Sequence, residues 1–245
     1  IHLAELDPSD GSVAGSGDHG AQSGNPSHPA VTPVGTNEVM LAYADLGNVE
    51  VAVGGNVTSL TGFPSMPVGV NDISDDAPTI VSRGDHAVAL WAENDEALQA
   101  VSVTLSGDVT AVATNVSAGA TVPHLALIAG DAELLSYIDI EATPPQLFFS
   151  IDASADGSGG FSGSVGGVAA DLGDFVATAP SGTGAFVALG TRSSIALFDV
   201  DTTGVNPAGT IDAAPTPFLS LAAAPGLLGY TRFNLVTLSN RVLVR

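Results

Sequence analysis

One arrangement of residues recurs five times along the chain, and that recurrence restricts the fold more than any single motif. In Ala77–Asn94, APTIVSRGDHAVALWAEN, a proline opens a short apolar run, Arg83-Gly84-Asp85-His86 turns the chain, and a second apolar run carries the sole tryptophan, Trp91. The same order returns from His28, with Pro29, the turn Gly35-Thr36-Asn37 and then Val39 to Tyr43. It returns again from Val122, with Pro123, the turn Gly130-Asp131-Ala132 and then Leu134 to Tyr137, and once more from Phe175 and from Phe218. An aromatic or its substitute stands near the end of each second run: Tyr43, Trp91, Tyr137, Gly190 and Tyr230. The starts at 29, 78, 123, 175 and 218 lie 49, 45, 52 and 43 residues apart.

Short apolar runs rich in β-branched residues and bounded by Gly, Asn and Asp are strands. The second copy resolves into four, Pro78–Ser82, Ala87–Glu93, Leu98–Thr104 and Val109–Val116, with Ser106-Gly107-Asp108 turning between the last two. One four-stranded sheet cannot bury both faces until neighbours pack on it, so four strands per repeat at this period predict propeller blades. The expected fold is therefore all-β: a single domain, 1–245, forming a five-bladed β-propeller of four-stranded antiparallel blades at about 28–76, 77–121, 122–174, 175–216 and 217–245 plus 1–27. The fifth copy stops after its third strand, Arg241–Arg245, so His2–Leu6 or Ser12–Gly15 is expected to close the last blade and remove an exposed edge. Tandem β-sandwiches are the competing architecture, but their repeats run nearer 90 to 100 residues.

Composition agrees with many turns around an aliphatic core: 29 Gly and 15 Pro, with 5% aromatics. Charge is lopsided, 26 acidic residues against five arginines and no lysine, for a formal net charge of −21. Such a surface repels phosphate backbones and anionic lipid heads, which excludes nucleic acid and membrane-surface partners. It suits solubility in a salty or extracellular setting, where charges more than about 8 to 10 Å apart are screened. Cysteine is absent, so there is no disulfide or thiol chemistry. No apolar run reaches the 18 or so residues that span a bilayer, and no signal-peptide pattern opens the chain. Beginning at Ile1 without methionine, the chain is expected to be a mature form whose leader was removed.

The order proline, apolar run, Gly turn, apolar run with an aromatic, third strand, Gly-Asp or Gly-Asn turn, fourth strand resembles the blades of bacterial secreted β-propellers. The ending GYTRFNLVTLSNRVLVR is similar to last blades of cell-surface propeller proteins of myxobacterial type. The resemblance implies an extracellular or cell-surface location and either glycan or protein recognition or a scaffold role, and it implies nothing about catalysis. Two departures stand out: an insertion at Asp156–Gly167 in the third copy and no starting proline in the fourth.

For glycoside hydrolysis a propeller would need paired carboxylates roughly 5 to 9.5 Å apart on its inner strands. The inner-strand candidates PAVTP, PTIVS, PHLAL, FVATA and FLSLA contain none; Asp85 and Asp131 sit in the turns that follow. No catalytic residue is assigned. His2, His19, His28, His86 and His124 have no ligand spacing and read as solvated polar residues. Gly15-Ser16-Gly17 and Gly163-Ser164 are turn chemistry rather than a nucleophile elbow, and the glycines of 157–167 lack the helix and lysine of a phosphate cradle. Asp152, Ser154 and Asp156 before Gly157 begin like a calcium loop, but Gly163 stands where the closing bidentate Glu is needed, so a hairpin turn competes with Ca2+ there. Asp72, Asp75 and Asp76 read as a solvated connector, and Arg83-Gly84-Asp85 as a tight turn rather than an adhesion motif. The expected function is a non-catalytic extracellular or surface module for recognition, adhesion or assembly, with a glycan, a protein or its own copies as partner. The alternatives are a glycan-processing enzyme using rim-loop acids and a structural subunit of an extracellular or viral assembly.

Overall fold

The chain is all-β and propeller-like in the computed structural model, which describes every residue except 8, 20–25, 37, 55–64, 71–76, 94–96, 115–118, 129–131, 153–160, 162–163, 171–174, 183, 192–193, 212–217, 235–238 and 245. The described residues contain no helix long and apolar enough to cross a membrane. They divide into two compact units, Ile1–Thr114 and Asn115–Arg245.

In the first unit β1 (His2–Leu6) and β2 (Val13–Asp18) form a hairpin, and two four-stranded antiparallel sheets follow. The first holds β3 (Pro26–Val34), β4 (Glu38–Asp45), β5 (Asn48–Gly54) and β6 (Ser65–Val70) in sequence order. The second holds β7 (Thr79–Arg83), β8 (His86–Glu93), β9 (Ala97–Thr104) and β10 (Val109–Val112). Strands β3 and β7 lie against each other, which makes the first strand of each sheet the inner one, and the Gly35 N–H donates to the Gly84 carbonyl (2.8 Å) between their turns.

Strands β4 and β8 are buried along nearly their whole length because each has a covered face on both sides. Val34, Met40, Ala42, Val49 and Val51 of one sheet pack on Ile80, Ala87, Ala89, Trp91, Val101 and Val103 of the next. Trp91 is the largest piece of this seam, and it lies so close over Gly69 of β6 that a Cβ there would overlap the indole. The opposite face of the first sheet, Leu41, Tyr43 and Ala52, is covered by Ile1 and Leu3 of the N-terminal hairpin. Under that hairpin the Tyr43 hydroxyl donates to Glu50 Oε2 (3.3 Å), so its oxygen accepts from His19 Nε2 (3.1 Å), and the three groups share one buried network. His19 is thus a core residue and not the solvated one expected, because its backbone is tied to Ile1 in the hairpin while its ring meets Tyr43 edge-on.

The β4–β5 turn is two residues, Leu46 (φ 47°) and Gly47 (φ 81°), with Asp45 opposite Asn48. Positive φ at both central positions is the hairpin turn that suits Asn-Gly, and a γ-branched side chain in the left-handed region costs about 1–2 kcal/mol. Leu46 is also 73% exposed. Leu46→Asn is therefore expected to raise the unfolding free energy by about 1 kcal/mol, read as a higher urea midpoint; a lower midpoint contradicts the turn assignment.

In the second unit β11 (Ala120–Leu127), β12 (Glu133–Asp139), β13 (Gln146–Asp152) and β14 (Ser164–Ala169) form one sheet. Strands β15 (Phe175–Ser181), β16 (Gly184–Gly190), β17 (Ile195–Asp201) and β18 (Gly204–Ile211) form the next, and β19 (Phe218–Ala224), β20 (Leu227–Asn234) and β21 (Ser239–Val244) a three-stranded third. Again the first strands adjoin, β11 with β15 and β15 with β19. Leu134, Ile138, Leu147 and Phe149 pack on Val176, Val187, Leu189 and Val200, and Ala188 and Ile195 on Leu228 and Tyr230. The fourth strands lie outermost, and two of them carry proline, Pro67 and Pro207, beside register shifts, where a missing N–H leaves no inner ladder bond unmade.

Several sequence expectations change. Among the described residues His2–Leu6 pairs with Val13–Asp18 in its own hairpin rather than as the expected closing strand, because the intervening turn, closed by Asp7 N–H to the Ser12 carbonyl and Gly11 N–H to the Asp7 carbonyl, brings the two strands together locally. The supposed insertion at 156–167 is partly ladder, since Ser164–Gly167 begins β14. The fourth copy's aromatic position belongs to Leu189, which faces the preceding sheet, and not to Gly190, where a Cβ would come within 2.8 Å of Leu221 from the following one.

Candidate functional site

The described groove with both apolar and polar walls lies in the second unit, between the β15–β18 sheet and the β19–β20 hairpin. Register sets its content. Phe186 of β16 stands opposite Asp199 of β17, and Ala188 opposite Leu197, so all four share one face. Toward the sheet's middle that face is closed by Leu228 and Tyr230. Toward the β15–β16 turn it opens into an apolar pocket of about 290 Å3 between Phe186, Leu197, Ile211, Leu227 and Leu228, with Ser181 at its lip. Leu227 is 56% exposed there. A second pocket, about 260 Å3, shares Ser181 and is lined by Gly184, Asp199 and Asp201. Backbone closeness shapes it: a Cβ on Gly184 would overlap the Val200 carbonyl oxygen.

An aromatic and aliphatic shelf beside a few polar groups is the usual make-up of a small-ligand site. The Thr203 hydroxyl and, at 2.7 Å, the Thr203 N–H both donate to Asp201 Oδ1, and these bonds hold its carboxyl below the ordinary aspartate range. Asp201 is consequently a standing hydrogen-bond acceptor and a poor proton donor. Thr203→Val removes the hydroxyl bond, so the Asp201 titration midpoint is expected to rise toward that of a free aspartate, followed by carboxyl-carbon NMR; an unmoved midpoint contradicts the assigned cause.

The expected positions fall elsewhere. Asp85 is exposed at the β7–β8 turn, and the His86 ring nitrogen Nδ1 at 3.0 Å holds it below the ordinary range, opposite to the need of a general acid. Arg83 is buried, so Arg83-Gly84-Asp85 is not presented as a tripeptide. Asp131, the connector Asp72, Asp75 and Asp76, and Ser154 and Asp156 lie outside the described residues. Asp152 ends β13, buried and directly opposite buried Glu133, a carboxylate pair with no local signature in DAELL or SIDAS. His2 binds Asp18 on the surface (2.7 Å), His28 is exposed, and His124 lies within β11. Among the described residues no group of three His, Asp or Glu converges as metal ligands.

These sheets and their inner first strands define a propeller-like protein. No family model matches the sequence, and no curated protein sequence matches it. Solved structures are similar in fold. A lectin from Aleuria aurantia, bound to a fucosyl-GlcNAc and described as six-bladed, has a TM-score of 0.56 at 11% identity over 83% of this chain and 70% of its own. A Lactobacillus plantarum protein reaches 0.57 at 14% identity over 97% and 75%. The GH93 α-L-arabinofuranosidase of Fusarium graminearum reaches 0.52 at 13% identity over 95% and 80%.

Proposed function

We propose that this chain is a non-catalytic, extracellular or cell-surface propeller that binds glycans, and that the groove between β16–β17 and the β19–β20 turn receives the sugar. The observation that carries this reading is the apolar shelf of Phe186, Leu197 and Leu227 meeting the carboxylates of Asp199 and Asp201 at Ser181. A sugar ring offers an apolar C–H face and a rim of hydroxyl donors, and these are the two chemistries the groove supplies. The lectin among the structural neighbours is a fucose binder, which agrees with the reading. The carboxylates speak for binding over hydrolysis: Glu133 and Asp152 are buried, and Asp201 stays ionised. The arabinofuranosidase likeness keeps an enzyme as the rival. Glycan-array binding without release of reducing sugar is the expected result. Hydrolysis of a bound glycan assigns the chain to the enzyme class instead.

A further inference from the structure

We infer that the groove prefers an amino sugar bearing a free ammonium group, a deacetylated hexosamine, over neutral and anionic sugars; this rests on the glycan reading above. The apolar pocket, about 290 Å3, lies at the lower end of small-ligand sites and has room for one ring. Beside that ring two carboxylates wait. Asp199 is exposed and stands in register with Phe186, so a sugar lying on Phe186 places one edge against it. Asp201 accepts from Thr203 at Oδ1 and lines the adjoining pocket, its carboxylate held ionised by these bonds. Among the described residues neither pocket is lined by an arginine or histidine. A carboxylate on the sugar would therefore meet repulsion with nothing to pair it, and the −21 net charge adds the same sign at long range. An ammonium group meets the reverse: a charge-assisted hydrogen bond and a favourable approach. Acetylating the amine removes the charge and leaves the ring's shape.

Calorimetry on the full chain tests this with three disaccharide probes: glucosamine, N-acetylglucosamine and galacturonic acid. Glucosamine is expected to bind at least tenfold tighter than its acetylated form, and raising NaCl from 50 to 500 mM is expected to erase most of that advantage. The paired change Asp199→Asn with Asp201→Asn is expected to abolish the preference, whereas Asp10→Asn with Asp85→Asn, equal in charge but distant in sequence and turn, leaves it intact. If both pairs weaken binding equally, net charge is responsible and the inference is overturned. Equal binding of the two glucosamine forms, or a preference for the uronic acid, also overturns it while the glycan reading stands. Failure of all three probes and of every array glycan overturns the glycan reading itself.

Discussion

Trp91→Ala is expected to lower the unfolding free energy by about 3–5 kcal/mol, the largest loss from any single truncation in the first unit. The indole is 2% exposed and wedged between the β3–β6 and β7–β10 sheets, with Gly69 beneath it. Strand β8 is fixed by a ladder on each side and β6 by its ladder to β5, so the space collapses only in part when the ring is removed. The indole N–H has no hydrogen-bond partner among the described residues, so Trp91→Phe forfeits volume alone and should cost about half as much. The pair is coupled. Gly69→Val should harm the native protein by overpacking yet be nearly neutral or helpful beside Trp91→Ala, because its methyls then enter the vacated space. Urea unfolding of the four variants measures both effects; a cost below about 1 kcal/mol for Trp91→Ala, or strict additivity with Gly69→Val, contradicts the packing described.

Phe186→Ala is expected to weaken glucosamine-disaccharide binding by about 30-fold, the effect of losing an anchor worth about 2 kcal/mol. Phe186 also supports the seam with Leu228 and Tyr230, so part of the loss could come through the scaffold. Leu227→Ser separates the two contributions. Leu227 is more than half exposed at the mouth of the pocket, so its replacement should reduce affinity several-fold while leaving the unfolding midpoint within experimental error of the parent. Undiminished affinity in both variants would place the ligand elsewhere.

The repeat was legible because each strand advertises itself locally. The middles of EVMLAYAD and HAVALWAE are apolar without a break, as strands with two covered faces must be, and Gly35-Thr36 and Gly84-Asp85 turn the chain just before them. In the second copy the observed strands begin and end within one residue of expectation, except β10, which stops at Val112. What failed was whatever depends on choice of partner. HLAEL and VAGSG could pair with a distant edge or with each other, and only the turn at Asp7 to Ser12 decides. Gly190 stands one residue past the aromatic position, Leu189, and because a strand reverses its faces at every residue, an offset of one selects the wrong sheet. The groove was invisible for a related reason. Phe186, Asp199 and Leu227 are separated in sequence by strand lengths and turns, and each taken alone is ordinary strand alternation.

The outermost strand β18 has a practical consequence. Asn206, Pro207, Ala208, Gly209 and Thr210 face water in succession, and the strand already carries a register shift beside its proline. With Val205, which packs on the core, and Ile211, which lines the groove, kept in place, the exposed stretch between them can be rewritten, which makes it a natural place to graft a reporter or a surface attachment while the groove keeps its shape.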